Sequence, residues 1–403
     1  MSTSLLYHAF GIRGYQYVNS AFERGMVFFQ ICKQKTDLRC PDCGSPQVIC
    51  KGGVERRFSS VPIGSKPVVI VLTVQRVLCL VCGALKQIKI DFADPRRSYT
   101  RQFERYALEL SRHMTIKDVA RHLDVSWDLI KDIQKRNLAR RFRRPKLKHL
   151  KQIAIDEISI GKGQKYLSIV LDLKSGAVIF VGSGKGTEAL EPFWRRLKPS
   201  KADIKAVAID MSRAYINAVR MHLPEAVIVF DRFHIVKLFN EKLSDLRRAL
   251  YHKATDEEKL VIKGTRWLLL KNSHNLNADK SESERLDQAL KINQPLATAY
   301  YMKEELRELW NQTNKKRARQ FLVDWIARAR ASGVNMLKKF AKTLARHIEG
   351  ILAYYDYPIS TGPLEGTNNK IKTMKRQAYG FRDKEFFKLK IMALHLTRYA
   401  LVG

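Results

Sequence analysis

The sequence predicts a multidomain α/β protein: a cysteine-bearing β-rich module, a basic helical pair, and a mixed sheet joined to a long helical tract. Three observations carry this. All six cysteines of the 403-residue chain fall between Cys32 and Cys82; the apolar period changes from helical to strand-like near Gln152; and from Arg232 to about residue 358 no convincing strand occurs. A chain of this length exceeds one ordinary core, and its 45% apolar content is enough to fill two to four.

Charge narrows the partners. Lys and Arg number 74 against 39 Asp and Glu, a net of +35, far beyond what solubility needs, so a polyanion such as nucleic acid is the natural partner. No run of about eighteen apolar residues occurs and the N-terminus lacks a signal-peptide pattern, so a soluble cytoplasmic protein with no membrane partner is expected.

Residues 1–95 are rich in strands and turns, with Pro41, Gly44, Gly52, Gly53, Pro62, Gly64, Pro67 and Gly83 as punctuation. Cys40-Pro-Asp-Cys43 and Cys79-Leu-Val-Cys82-Gly83 are two CxxC pairs. In a reducing compartment such pairs point to one structural Zn2+ held by four thiolates, with no open position for catalysis. Cys32 and Cys50 are expected to be small buried residues.

Residues 96–150 turn helical and basic, with 17 Lys and Arg against 6 acids between Arg96 and Lys151. Ile116, Val119, Ala120 and Leu123 would face inward from one helix, Val125 would plug a turn, Ser126 would cap a second helix, and Leu129, Ile130 and Ile133 would pack back. This spacing fits a helix-turn-helix. It would leave Trp127, Asp128, Lys131, Gln134 and Lys135 free for a major groove, followed by a phosphate-contacting tail of Arg140, Arg141, Arg143 and Arg144 with Lys146 and Lys148.

From 151 to 238 strands at 152–160, 166–173 and 177–181, then alternating helices and strands, describe a mixed sheet. Residues 239–358 read as helical, too long a stretch to be a loop. Trp267, Trp310 and Trp325 within it are expected to be core anchors. Residues 359–403 carry Gly362-Pro-Leu-Glu365 and a basic helix on which Asn369, Lys372 and Arg376 share a stripe.

Three acids have the chemistry of divalent-metal sites. Asp156 or its neighbour Glu157 lies in a strand, Asp210 ends Val207-Ala-Ile-Asp210, and Glu365 stands at a helix start. Consecutive strand residues face opposite sides, so only one of Asp156 and Glu157 can point at such a site, and periodicity leaves the choice open. Asp172 and Asp203 read as surface charges. Asp231-Arg-Phe-His234 is a further pair, with Asp231 as a helix cap and His234 able to move a proton or hold a phosphate.

The order of these blocks, with Ile-Asp-Glu-Ile, Ile-Asp-Met-Ser-Arg-Ala-Tyr, Val-Phe-Asp-Arg-Phe-His-Ile-Val-Lys, Gly-Pro-Leu-Glu-Gly-Thr-Asn-Asn-Lys-Ile-Lys and a later Tyr-Gly-Phe-Arg, resembles bacterial insertion-sequence transposases of the DDE class, the IS-L-three family. The likeness spans nearly the whole chain. It implies a ribonuclease-H-like catalytic core with a large all-helical insertion, preceded by the zinc-binding and helix-turn-helix domains. It places the catalytic, Mg2+-binding triad at Asp156, Asp210 and Glu365, with Asp231 and His234 auxiliary. Two Mg2+ ions, for which Mn2+ could substitute, would serve cleavage and strand transfer on terminal inverted repeats and target DNA, in a homodimer or larger assembly and on the nucleoid when bound. A catalytically silent DNA-binding regulator of the same fold is the alternative.

Overall fold

The structure is a computed structural model that describes residues 4–161, 163, 165–272, 275–359 and 362–396. These residues group into two compact units: 4–143 with Met374–Leu389, and 144–373 with the segment from Lys390 onward. The first unit therefore takes up part of the segment beyond 359 that the sequence assigns to the catalytic core.

In the first unit, α1 (Leu5–Phe10) precedes a five-stranded sheet of β1 (Gln16–Glu23), β2 (Met26–Cys32), β3 (Val48–Ile63), β4 (Lys66–Cys79) and β5 (Leu85–Gln87). The order is β1-β2-β4-β3, with β5 also on β4, and β2–β4 is the parallel pair. Strand β4 alternates as its sequence demands: Val68, Ile70, Leu72 and Val74 are buried on one face. Three helices follow: α2 (Arg101–Leu110), α3 (Ile116–His122) and α4 (Trp127–Phe142). Thr100, Thr115 and Ser126 cap them by accepting the backbone N–H of Phe103, Asp118 and Leu129. Val119, Ala120, Leu123, Ile130 and Ile133 form their shared core with Phe103 and Ala107, as the apolar spacing predicts.

The second unit is built on a sheet of β6 (Gln152–Gly161), β7 (Lys165–Asp172), β8 (Val178–Ser183), β9 (Ala206–Ile209) and β10 (Val227–Phe230), in the order β10-β9-β6-β7-β8. Strands β6, β9 and β10 run parallel; β7 and β8 complete an antiparallel meander. Helices α5 (Thr187–Leu197) and α6 (Arg213–His222) supply Leu190, Phe193, Trp194, Ile216 and Val219 to the core. Asp172 is not the surface charge its sequence suggests. It is buried because its carboxylate closes the β7–β8 turn, accepting the N–H groups of Lys174 and Ser175.

The rest of this unit is helical: α7 (Arg232–Lys253), α8 (Asp256–Ile262), α9 (Arg266–Leu270), α10 (Glu282–Lys291), α11 (Gln294–Leu306), α12 (Lys315–Ala331), α13 (Asn335–Arg346) and α14 (Ile348–Leu352). Trp325 is fully buried against Phe239 and Phe340, and Trp310 is buried as well. Trp267 departs from expectation: it is 65% exposed, because α9 turns Leu268 and Leu269 inward instead. After residue 361 come α15 (Gly362–Gln377) and α16 (Lys384–Met392). No helix among the described residues is long and apolar enough to cross a membrane.

Candidate functional site

Three aspartates reach one level across the parallel strands. Ala154 pairs with Ala208 and Ile209 with Phe230, so Asp156, Asp210 and Asp231 follow in matching register on β6 and at the ends of β9 and β10. In open α/β sheets the carboxyl ends of parallel strands are where ligands bind, because helices leave a crevice there. Asp156 and Glu157 diverge as strand neighbours must. Glu157 accepts from Tyr215 Oη at 2.6 Å on the side of α6, whereas Asp156 turns to the aspartate side.

Each Asp156 oxygen has a partner: Oδ1 accepts the Glu157 N–H at 2.7 Å, and Oδ2 accepts Asn368 Nδ2 at 2.7 Å. His234 Nε2 lies 4.0 Å from Oδ1. Burial pushes the Asp156 carboxyl above its ordinary range, and the field of Asp210 adds to this, against the lowering effects of the Glu157 amide, His234 and Asn368. Asp210 is half-buried and accepts the Ser212 N–H at 3.0 Å, which fixes the turn into α6.

Asp231 caps α7 by accepting the Phe233 N–H at 2.8 Å, and its Oδ2 lies 3.0 Å from His234 Nδ1. The bond to Asp231 holds the imidazole above its ordinary pKa in spite of burial, aided by Asp156 and Asp210. A carboxylate behind one ring nitrogen leaves the other to face Asp156, the usual way a histidine is oriented for proton or phosphate work.

Glu365, in the first turn of α15, is exposed and stands one turn before Asn368. Sequence reasoning passed over Asn368, although the spacing held a signal. Leu364 and Ile371 are buried on the inner stripe of α15, and Asn368 occupies the same stripe between them.

The cysteines converge. The sulfurs of Cys40, Cys43, Cys79 and Cys82 all lie within 4.8 Å of one another, with Cys43–Cys79 at 3.5 Å and Cys40–Cys82 at 3.6 Å. A Zn–S bond of about 2.3 Å in a tetrahedron puts sulfurs ~3.8 Å apart, so the set fits zinc. Each pair sits in the same turn: Gly44 N–H reaches Cys40 O, Gly83 N–H reaches Cys79 O, and both glycines have φ near +70°. The amides of Cys43 and Asp42 pull the Cys40 thiol down to about 6 and that of Cys82 lowers Cys79, whereas, against their own backbone bonds, Cys43 and Cys82 are held up by the neighbouring sulfurs, so the fit to zinc rests on the geometry. Cys32 is half-buried and Cys50 is exposed, since β3 turns its first half to solvent; the expectation of two buried cysteines is corrected.

On α4, Trp127 is 53% exposed and Lys131 stands over its ring. Gln134 is buried, one turn after Ile130 on the inner face of α4, and is not free for a groove as its sequence suggests. Lys131 and Lys135 both pair with Asp383, at 3.3 and 2.8 Å. Arg140, Arg141, Arg143 and Arg144, like Asn369, Lys372 and Arg376, are exposed.

Comparison with known proteins defines the class. Residues 153–391 match a family described as "Transposase", residues 88–136 the "Helix-turn-helix domain of transposase family ISL3", and residues 38–82 the "zinc-finger of transposase IS204/IS1001/IS1096/IS1165". The transposase for insertion sequence element IS1001 of Bordetella parapertussis is 34% identical over 360 residues, 88% of each chain. That for IS1557 of Mycobacterium tuberculosis is 26% identical, covering 86% of this chain and 83% of the relative. The Drosophila P element transposase strand transfer complex aligns with 76% of this chain and 94% of its own, at 9% identity and a TM-score of 0.43. The chain belongs to the ISL3 family of transposases. It is a DNA transposase, an enzyme that cleaves and transfers DNA strands.

Proposed function

We propose that Asp156, Asp210 and Glu365 are the catalytic acids of a magnesium-dependent DNA transposase with a ribonuclease-H-like core and a helical insertion between the second and third acids. The observation that carries this is the shared level of Asp156 and Asp210 on adjacent parallel strands, with the Glu365 helix tied to Asp156 through Asn368. The sheet order, three antiparallel strands followed by two parallel ones beside the first, supports the core assignment. The donors fit magnesium, a hard cation that takes oxygen ligands: carboxylates surround the site, and the Asn368 Oδ1 is buried without a hydrogen-bond partner.

Asp156, Asp210 and Glu365 would hold the ions, with Mn2+ as a substitute; when bound, the pair supplies charge stabilisation on the attacking and leaving oxygens of a phosphodiester. The chain's own groups do the rest. His234, kept protonated-prone by Asp231, donates to a phosphate oxygen or carries a proton beside Asp156. The exposed cations Lys372 and Arg376 attract the DNA backbone, and the neutral Asn369 beside them on the stripe offers a hydrogen bond to a phosphate. Helix α4 with Trp127 and Lys131, and the tail from Arg140 to Arg144, select and hold the terminal inverted repeats, and the four-cysteine zinc site braces the module beside them. Joining two ends calls for a homodimer or larger assembly, at work on cytoplasmic, nucleoid DNA.

The test is cleavage of an end-containing DNA with Mg2+. Cutting that is lost in Asp156→Ala, with binding retained, supports the reading. No cutting by the wild type with any divalent metal favours the silent regulator.

A further inference from the structure

We infer that Asn368 is a positioning residue: it docks the Glu365 helix onto Asp156 and fixes the Asp156 carboxylate for a divalent cation. The inference rests on the catalytic assignment of the acids and adds a residue to it.

Asn368 lies on the inner stripe of α15, between buried Leu364 and Ile371. An apolar residue would be the ordinary occupant of such a position. Its amide instead donates to Asp156 Oδ2 at 2.7 Å, and the Glu157 N–H holds Oδ1 at the same distance. A carboxylate bonded at both oxygens cannot rotate, so the direction of its free lone pairs is set before any cation arrives. The amide nitrogen must be the atom facing Asp156, because the oxygen there would meet a carboxylate without a proton between them.

The same contact sets the third acid. Glu365 precedes Asn368 by three residues, about 4.5 Å along the helix and on a neighbouring face, so anchoring Asn368 also fixes where the Glu365 backbone stands. The side chain is neutral, and this matters. A Lys or Arg here would hold Asp156 as well but would neutralise it and repel a metal ion; an amide orients the acid and leaves its charge for the cation. The Asn368 Oδ1 is buried and has no hydrogen-bond partner. Leaving such an acceptor dry is costly, and a buried amide oxygen on the side chain that holds Asp156 is a donor that a cation or its bound water can take.

The experiment uses the full-length chain and Mn2+ as the probe, titrated by paramagnetic resonance, beside cleavage assays across a range of Mg2+ concentrations. Asn368→Leu keeps the stripe apolar and guards against simple unfolding; Asn368→Ala removes the amide alone. The expected result for both is an Mn2+ affinity weakened about 10-fold or more, a metal-free protein that still melts in one cooperative transition, and cleavage recovered by raising Mg2+. Unchanged Mn2+ affinity in both variants overturns the inference, as does a loss of cleavage that excess Mg2+ leaves untouched. Asp210→Asn separates the two levels of argument: if it binds Mn2+ as the wild type does, the acid assignment fails, whereas normal loss in Asp210→Asn with no effect at position 368 defeats the role of Asn368 alone.

Discussion

Glycine 350 provides a prediction in which two effects of known size oppose each other. It lies in the short helix α14, where Gly→Ala ordinarily stabilises by up to about 1 kcal/mol through backbone entropy. An added Cβ at this position would stand 2.5 Å from Phe230 Cδ2, closer still to Cε2, and 3.2 Å from Cζ. Carbon atoms rest about 3.5–4.0 Å apart, so the ring would have to move by roughly 1 Å. It has little room: Phe230 is 6% exposed and packs edge-on against His347 at 5.0 Å. Overpacking of this kind costs about 1–3 kcal/mol, and because contacts this short against a packed ring cannot be relieved as they could at the far end of a flexible side chain, the upper half of that range applies, leaving a net loss of about 1–2 kcal/mol after the helix gain. For a unit of this size that lowers the melting temperature by roughly 2–8 °C. Phe230 ends β10 directly before Asp231, so the displacement is expected to slow cleavage as well. Gly366, one residue after Glu365, has nothing within 4 Å of its Cβ position, and Ala there is expected to raise melting by up to about 4 °C. Thermal melting of both variants by circular dichroism decides the matter: a Gly350→Ala protein that melts at or above wild type refutes the packing argument.

Zinc stoichiometry is expected at one ion per chain, with chelation unfolding the first unit of the wild type and Cys79→Ser losing the metal and that unit's stability without a chelator, while Cys50→Ser behaves as wild type; metal analysis and melting check both. Asp156→Asn is expected to abolish cleavage yet stabilise the metal-free protein, since burial raises the folded pKa of this acid and its ionised form opposes folding. That penalty is absent below the unfolded value and grows as pH rises past it, so the stability difference between variant and wild type should vanish near pH 3 and be present at pH 7. Asp383 is held down at about 2: burial opposes ionisation, but Lys135, the Phe386 amide and Lys131 outweigh it. Its contribution is therefore present above the ordinary carboxylate value and disappears as pH falls through about 2. Asp383→Asn should free Lys131 and Lys135, tightening DNA binding and steepening its dependence on salt by up to about one unit per lysine; weaker binding in a filter or anisotropy titration would show that Asp383 orders these lysines for DNA instead.

Much of this protein was legible in its sequence because the signals are local. The CxxC pairs, each followed by a glycine, specify two matching knuckles; Ser126 announces the start of the second helix of the helix-turn-helix; and the apolar spacing from Val119 to Ile133 marks the faces that pack together. What only the tertiary structure decided are relations between distant segments and the inward or outward turn of individual side chains. Strand periodicity could not choose between Asp156 and Glu157; the register of β6 on β9 and the reach of Tyr215 to Glu157 separate their surroundings. Composition gave no reason for Gln134 to be buried, Trp267 to be exposed, or Asp172 to lie inside a turn, because each follows from which neighbour a helix or strand meets. The pairing of Asn368 with Asp156 belongs to the same class: a hydrogen bond joins residues that are far apart along the chain, and only the folding of α15 against β6 brings them within 2.7 Å.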